Sequence, residues 1–126
     1  MEFEYFYGKQ SSQHAFYRIP KLLFTDRKFD TLSVEAKLLY GMMIDRMELS
    51  QKNGWIDRQG RAYIYFTVDE VKDRLHCAND KAVKLMRELG GGKGIGLIES
   101  VRQGLGKPNI IYVKNFFNGA AGKGRV

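Results

Sequence analysis

Cysteine is nearly missing from this sequence: Cys77 is alone among 126 residues. No internal disulfide can form, and a reducing cytoplasm is the simplest compartment for such a chain. Proline is scarce as well, with Pro20 and Pro108 its two examples. No run of about 18 apolar residues occurs, which excludes a membrane-spanning helix. The N-terminus, MEFEYFYGK, is acidic and aromatic, and it lacks the basic start and apolar stretch of a signal peptide. Histidine is confined to His14 and His76, far apart and without His-x-His spacing. Neither a metal site nor a cofactor site is expected, because no cluster of ligating residues has a workable spacing.

Acidic residues are in deficit. Fourteen Asp and Glu face 21 Lys and Arg, leaving a formal charge of +7 and a pI of about 9.6. A basic excess favours polyanion partners, since each neutralised phosphate releases condensed counterions. The excess is not spread evenly. Residues 79–114 carry seven basic and three acidic side chains, net +4, whereas residues 1–78 carry 12 and 11, net +1. The hydrophobic share of 44% and the charged share of 28% are those of an ordinary globular protein, long enough for one core.

Taken in order, Phe3, Tyr5 and Tyr7 alternate with Glu2 and Glu4, a period of two that predicts a short strand or edge segment. FYRIPKLLF follows, in which Pro20 suits the first turn of a helix beginning near Lys21. Arg18 and Lys21 are phosphate candidates, or parts of a solvated connector packed by its apolar neighbours. Ser33 is a good N-cap with Glu35 in the first turn, and Leu38, Leu39, Met42, Met43 and Met47 recur at helical spacing. Residues 33–49 are therefore expected to form the main buried helix, ended by Asn53-Gly54. WIDRQGRAYIYF reads as a β-hairpin turning around Arg58-Gln59-Gly60, with Tyr63 and Tyr65 opposite Ile64 and Phe66. Trp55, Tyr63 and Tyr65, with Tyr5, are candidates for a dimer interface, or for a partly covered aromatic face within one protomer.

Thr67-Val68-Asp69-Glu70 has the pattern of a capping box, with Phe66 and Val71 as its hydrophobic staple. Adjacent helix residues do not face each other, so Asp69 and Glu70 are no catalytic pair. Residues 77–79 make a turn. A second helix follows, with Ala82, Leu85, Met86 and Leu89 inward and Lys81, Lys84 and Glu88 on one outward face. Asn79 and Asp80 open it, either as caps or as base-reading groups. Gly90-Gly91-Gly92 is expected to end it in a left-handed cap. The run GGGKGIG resembles a phosphate loop only loosely. It follows a helix, not a strand, and Lys93 precedes Gly94, not Ser or Thr. Strands starting at residues 95–101 and returning at 110–113 enclose a basic glycine loop holding Arg102, Gln103 and Lys107. The ending, NGAAGKGRV, has no apolar pattern and reads as linker.

The blocks FYRIPKLLF, LSVEAKLLYGMMIDRMELSQKNGWID, GRAYIYFT and GIGLIESVRQGLGKPNIIYVKNFF resemble the N-terminal domain of RepA-N plasmid replication initiators, over about residues 14–117. The resemblance implies an α+β fold, a winged helix-turn-helix with an extra β-hairpin and an N-terminal extension. It implies a domain over residues 1–117 that binds repeated sequences (iterons) in double-stranded DNA at a plasmid origin. It further implies a separate C-terminal domain that engages host replication proteins, with residues 118–126 as linker or tail. By resemblance, residues 79–89 and 102–107 carry the DNA contact. Asn79, Asp80, Lys81, Lys84, Arg87, Arg102, Gln103 and Lys107 are the candidates. The fold also resembles the N-terminal domain of DnaD-type primosome proteins, which self-associate. A homodimer able to bridge DNA segments is thus expected.

Three other functions compete. A winged-helix transcriptional regulator has the same composition, and the position of its bound site would distinguish it. A nicking initiator needs a metal-binding histidine pair and a nucleophilic tyrosine, which two distant histidines do not supply. A pure self-association module predicts salt-insensitive assembly without DNA binding.

Overall fold

The computed structural model describes residues 2–8 and 15–116. Four helices and a small sheet follow one another: α1 (Leu22–Thr25), α2 (Val34–Asn53), α3 (Val68–Leu75), α4 (Asn79–Leu89), β1 (Ile98–Val101) and β2 (Ile110–Val113). A 3-10 turn, Arg27–Phe29, links α1 to α2. No helix among the described residues is long and apolar enough to cross a membrane.

The expected central helix is α2, which ends four residues beyond the expected limit at residue 49. Ser33 Oγ accepts the Ala36 amide at 3.1 Å and starts it. Gly54, at φ +69°, ends it, because a left-handed residue returns the last amide to the Ser50 carbonyl. The polar extension holds since Ser50 is fully buried and donates its hydroxyl to Met47 O at 2.7 Å. Leu39 and Met43 are fully buried, and Met42 and Met47 pack at the margin, so the methionine stripe is core. Gly41 sits where Ile19 crosses the helix; a Cβ there would stand 2.8 Å from Ile19 Cγ1.

The capping box forms as expected. Thr67 Oγ1 accepts the Glu70 amide at 3.1 Å, and Glu70 Oε1 accepts the Thr67 amide at 3.2 Å. Phe66 and Val71 are both buried. Arg46 of α2 braces this start. It donates to Tyr65 O at 2.7 Å and to the Glu70 carboxylate, and its guanidinium lies 4.7 Å from the Phe66 ring. His76 then takes a left-handed backbone (φ +54°) and closes α3, after which α4 crosses it to complete a helix-turn-helix.

Two expectations fail and a third is met in part. Residues 2–7 form no strand and are all exposed. The hairpin over residues 55–66 is only partly built. Ile56 bridges Ala62, and Tyr63 N donates to Trp55 O at 3.0 Å, while Ile64 uses the opposite edge of the same arm to pair with Ile111 of β2. Ile64 and Ile111 are buried together there, at 0% and 1% exposure, and each such side chain contributes about 1.5–3 kcal/mol. The left-handed cap is also misplaced. Gly90 is extended, and positive φ appears instead at Gly92 and Gly96. The glycine run folds back so that Ile95 N donates to Glu88 O at 2.9 Å and Gly96 N to Gly90 O at 2.8 Å. Gly94 has to be glycine, since a Cβ would collide with the carbonyl oxygens of Arg87, Glu88 and Gly90.

β1 and β2 pair antiparallel, Ile98 with Val113 through Val101 with Ile110, as the sequence predicts. With the Ile64 bridge they make the sheet from which the wing projects. Residues 118–126 lie outside the described residues.

Candidate nucleic-acid interface

Helix α4 is anchored along one side only. Ala82, Leu85 and Leu89 have no exposed surface. Opposite them, at helical spacings of three and four, Asp80, Lys84 and Arg87 are exposed and form the outermost line, with Val83 half-buried beside it. Asn79 is exposed at the first helical position. Neither Asn79 nor Asp80 caps the helix; the N-cap is Ala78, which has no side chain to do so. Both side chains are free of that structural duty.

The expected outward face of Lys81, Lys84 and Glu88 is rotated toward α2. Lys81 Nζ lies 3.0 Å from Glu35 Oε2, at the first turn of α2. The Lys81 ammonium lowers the Glu35 pKa, and Glu35 raises that of Lys81. Glu88 is drawn in further, with its side chain 17% exposed. Its carboxylate accepts the Ser33 amide at 2.8 Å and the Ser33 hydroxyl at 2.9 Å, and it pairs with Lys84 at 3.0 Å. Burial pushes the Glu88 pKa up, but these donors outweigh it and the net direction is down. Lys81 and Lys84 are therefore paired within the fold, whereas Arg87 makes no ion pair among the described residues. Solvent screens ion pairs at a surface, so the exposed Lys81–Glu35 pair breaks readily for a better anion.

The wing is exposed throughout residues 102–109. Arg102 and Lys107 extend from it and make no ion pair among the described residues. Gln103 donates an amide hydrogen to Pro108 O at 2.8 Å and so braces the loop as well as lining it. At its base, the Asp57 carboxylate accepts from the amides of Gln59 and Arg61, from Arg61 Nε at 2.8 Å and from the Tyr112 hydroxyl at 2.9 Å. Burial opposes its charge, yet these donors hold its carboxyl far below the usual range. This latch joins the turn at residues 57–60 to β2. Nothing in the linear sequence marked Asp57 or Glu35 as partners, since both meet residues far away in the chain.

The proposed aromatic interface divides in two. Trp55, Tyr63 and Tyr65 are half-buried and stack edge-to-face, at 4.9 Å and 5.9 Å between ring centres, with Tyr112 adjoining Tyr63. They cover one another within the protomer. Tyr5 is 82% exposed. Arg18 and Lys21 are exposed in the connector before α1; His14 lies outside the described residues.

A helix-turn-helix braced by a latched β-wing matches known proteins. The family model for the N-terminus of replication initiator protein A (RepA) covers residues 15–122. The chain belongs to this family. A "41 kDa protein" of Lactobacillus helveticus is 32% identical over 100 residues, which span 79% of this chain and 28% of that protein. The chain thus corresponds to little more than a quarter of that relative's length. Among solved structures, one described as the N-terminal domain of a DNA-binding protein is 32% identical, with a TM-score of 0.71 over 90% of this chain and 85% of the other. One described as a Rep–DNA complex is 33% identical, with a TM-score of 0.71 over 89% and 84%. A third, an "MDR initiator", is 32% identical, with a TM-score of 0.66 over 89% and 86%. The fold of this initiator-family domain is a winged helix, as the sequence predicts.

Proposed function

We propose that this domain binds the repeated sequences of a plasmid origin as duplex DNA, α4 in the major groove and the wing on the flanking backbone or minor groove. The observation that carries the reading is the unanchored side of α4: Asn79, Asp80, Lys84 and Arg87 stand clear of the core beside a basic wing. A protruding helix of this kind, with exposed polar groups in its first turns, suits base-edge reading. Arg87, Arg102 and Lys107 are assigned to phosphates, and Lys81 and Lys84 exchange their carboxylate partners for phosphate on binding. The similarity to a structure described as a Rep–DNA complex supports DNA binding by this domain.

The domain acts by binding, without bond-making chemistry, in the cytoplasm where the plasmid resides. It works as a homodimer across two half-sites, and pairing of dimers bridges DNA segments. With the aromatic cluster at Trp55 closed on itself, Tyr5 is the dimer candidate left facing solvent. Recruitment of host replication proteins belongs to the remainder of the initiator.

An anisotropy titration against repeat-bearing and scrambled duplexes at one salt concentration tests this. Preference for the repeats by at least about 1,000-fold is expected, with light scattering giving two domains per site and the duplex recovered intact. Equal affinity for both duplexes sinks the sequence-specific reading.

A further inference from the structure

Leu105 is the most exposed large apolar side chain of the described residues, at 95%. It stands at the apex of the wing between Gly104 (φ +128°) and Gly106 (φ +76°). Both glycines occupy backbone conformations that other residues avoid, so the chain reverses around the leucine. Neither supplies a side chain to shield it. The loop is nonetheless held in shape: Lys107 N donates to Gly104 O at 3.3 Å, and Gln103 bonds Pro108 O. Arg102 and Lys107 flank the apex, both exposed.

We propose that Leu105 enters the minor groove of the bound duplex as an apolar wedge, with Arg102 and Lys107 against the phosphates that border the groove. The inference deepens the DNA-binding reading and rests on it. Geometry favours the fit. The minor groove is only about 6 Å wide, and a tip made of one leucine between two glycines is slim enough to enter. Chemistry favours it too, because sugar C–H groups line the groove, and leucine is among the side chains that proteins insert between base steps. The cations on both sides of the apex select a polyanion over a lipid or an apolar protein face. A wedge of this kind reads deformability. It prefers flanks with flexible pyrimidine–purine steps, at bases to which no hydrogen bond is made.

The test uses origin-repeat duplexes in which 2-aminopurine is stepped through the flanking base pairs. The wild-type domain should raise 2-aminopurine fluorescence at one step. Leu105→Ser should abolish that rise and bind about tenfold more weakly, as expected when one leucine side chain loses its apolar contact. The dependence of affinity on salt should not change, because no phosphate contact is lost. Leu105→Met should keep both signals. Wild-type affinity in Leu105→Ser, or a fluorescence rise that survives the substitution, overturns the wedge. So does a salt slope reduced by about one unit, which means that the leucine merely shapes the loop. A wild-type domain that fails to bind these duplexes overturns the DNA-binding reading itself, a distinct result.

Discussion

The two helices of the helix-turn-helix are neighbours in sequence and opposites in construction. Helix α3 is finished by its own residues: Thr67 and Glu70 satisfy each other's amides, and Arg46 reaches over from α2 to hold the corner. Helix α4 has Ala78 where a cap would sit, and its first polar residues, Asn79 and Asp80, are turned outward. Its far end is tied down by the folded-back glycine run and by Glu88, while its first turn is held by the exposed Lys81–Glu35 pair. One helix is built to stay and the other to offer its open end to something else. A capped helix gains stability, whereas an uncapped one keeps polar groups available for a ligand.

Removing charge from the open helix should have the largest effect. The double substitution Lys84→Ala, Arg87→Ala is expected to weaken binding to repeat-bearing DNA at least tenfold and to lower the salt slope by about 2. Its denaturation midpoint should move little, since both groups are surface-exposed and such changes stay within about 0.5 kcal/mol. An unchanged titration curve would mean that α4 presents a different line to DNA.

Opening the closed helix should do the reverse. Thr67→Ala removes the cap oxygen and is expected to cost about 1 kcal/mol of folding stability by urea denaturation. DNA affinity measured well below the transition should be unaltered. A loss of affinity without a loss of stability would break the division of labour between the helices.

The smallest effect is a dependence on pH. Glu70 and Glu88 both have folded-state pKa values below the ordinary carboxylate value. In each, burial opposes the charge and is outweighed, by Arg46 and the Thr67 amide for Glu70 and by the Ser33 amide, Lys84 and the Ser33 hydroxyl for Glu88. Groups lowered on folding stabilise the protein above their unfolded pKa, and that contribution drains away as pH falls through the folded value. Stability should hold from neutrality to about pH 5 and then decline. Glu70→Gln and Glu88→Gln should each flatten the decline. An acid limb of the same steepness in both variants would assign it to other carboxylates.

Much of this architecture was legible residue by residue. The capping box at residues 67–70 and the α2 N-cap at Ser33 depend on neighbours a few positions apart, and the chain displays those openly. Leu105, an apolar residue between two glycines in a polar loop, drew no reading from the sequence, and its exposure in the fold is what gives it meaning. The failures were failures of partnership. An alternating pattern at residues 2–7 does not make a strand without a second strand to bond. Ile64 finds its partner across the outer edge of the hairpin in Ile111, forty-seven positions away.

The same distinction runs through the candidate site. Helical spacing alone established which side of residues 79–89 is apolar, because a regular helix of one sequence has one apolar face. Which lysines on the polar side face outward was settled by Glu35 and Ser33, which approach from another helix. Composition established an excess of positive charge, while its availability was set by the carboxylates that folding brought beside Lys81 and Lys84. Local hydrogen bonding is written in short stretches of chain. Distant pairing depends on how the buried surfaces of α2, α4 and the sheet fit together, and no short stretch contains that.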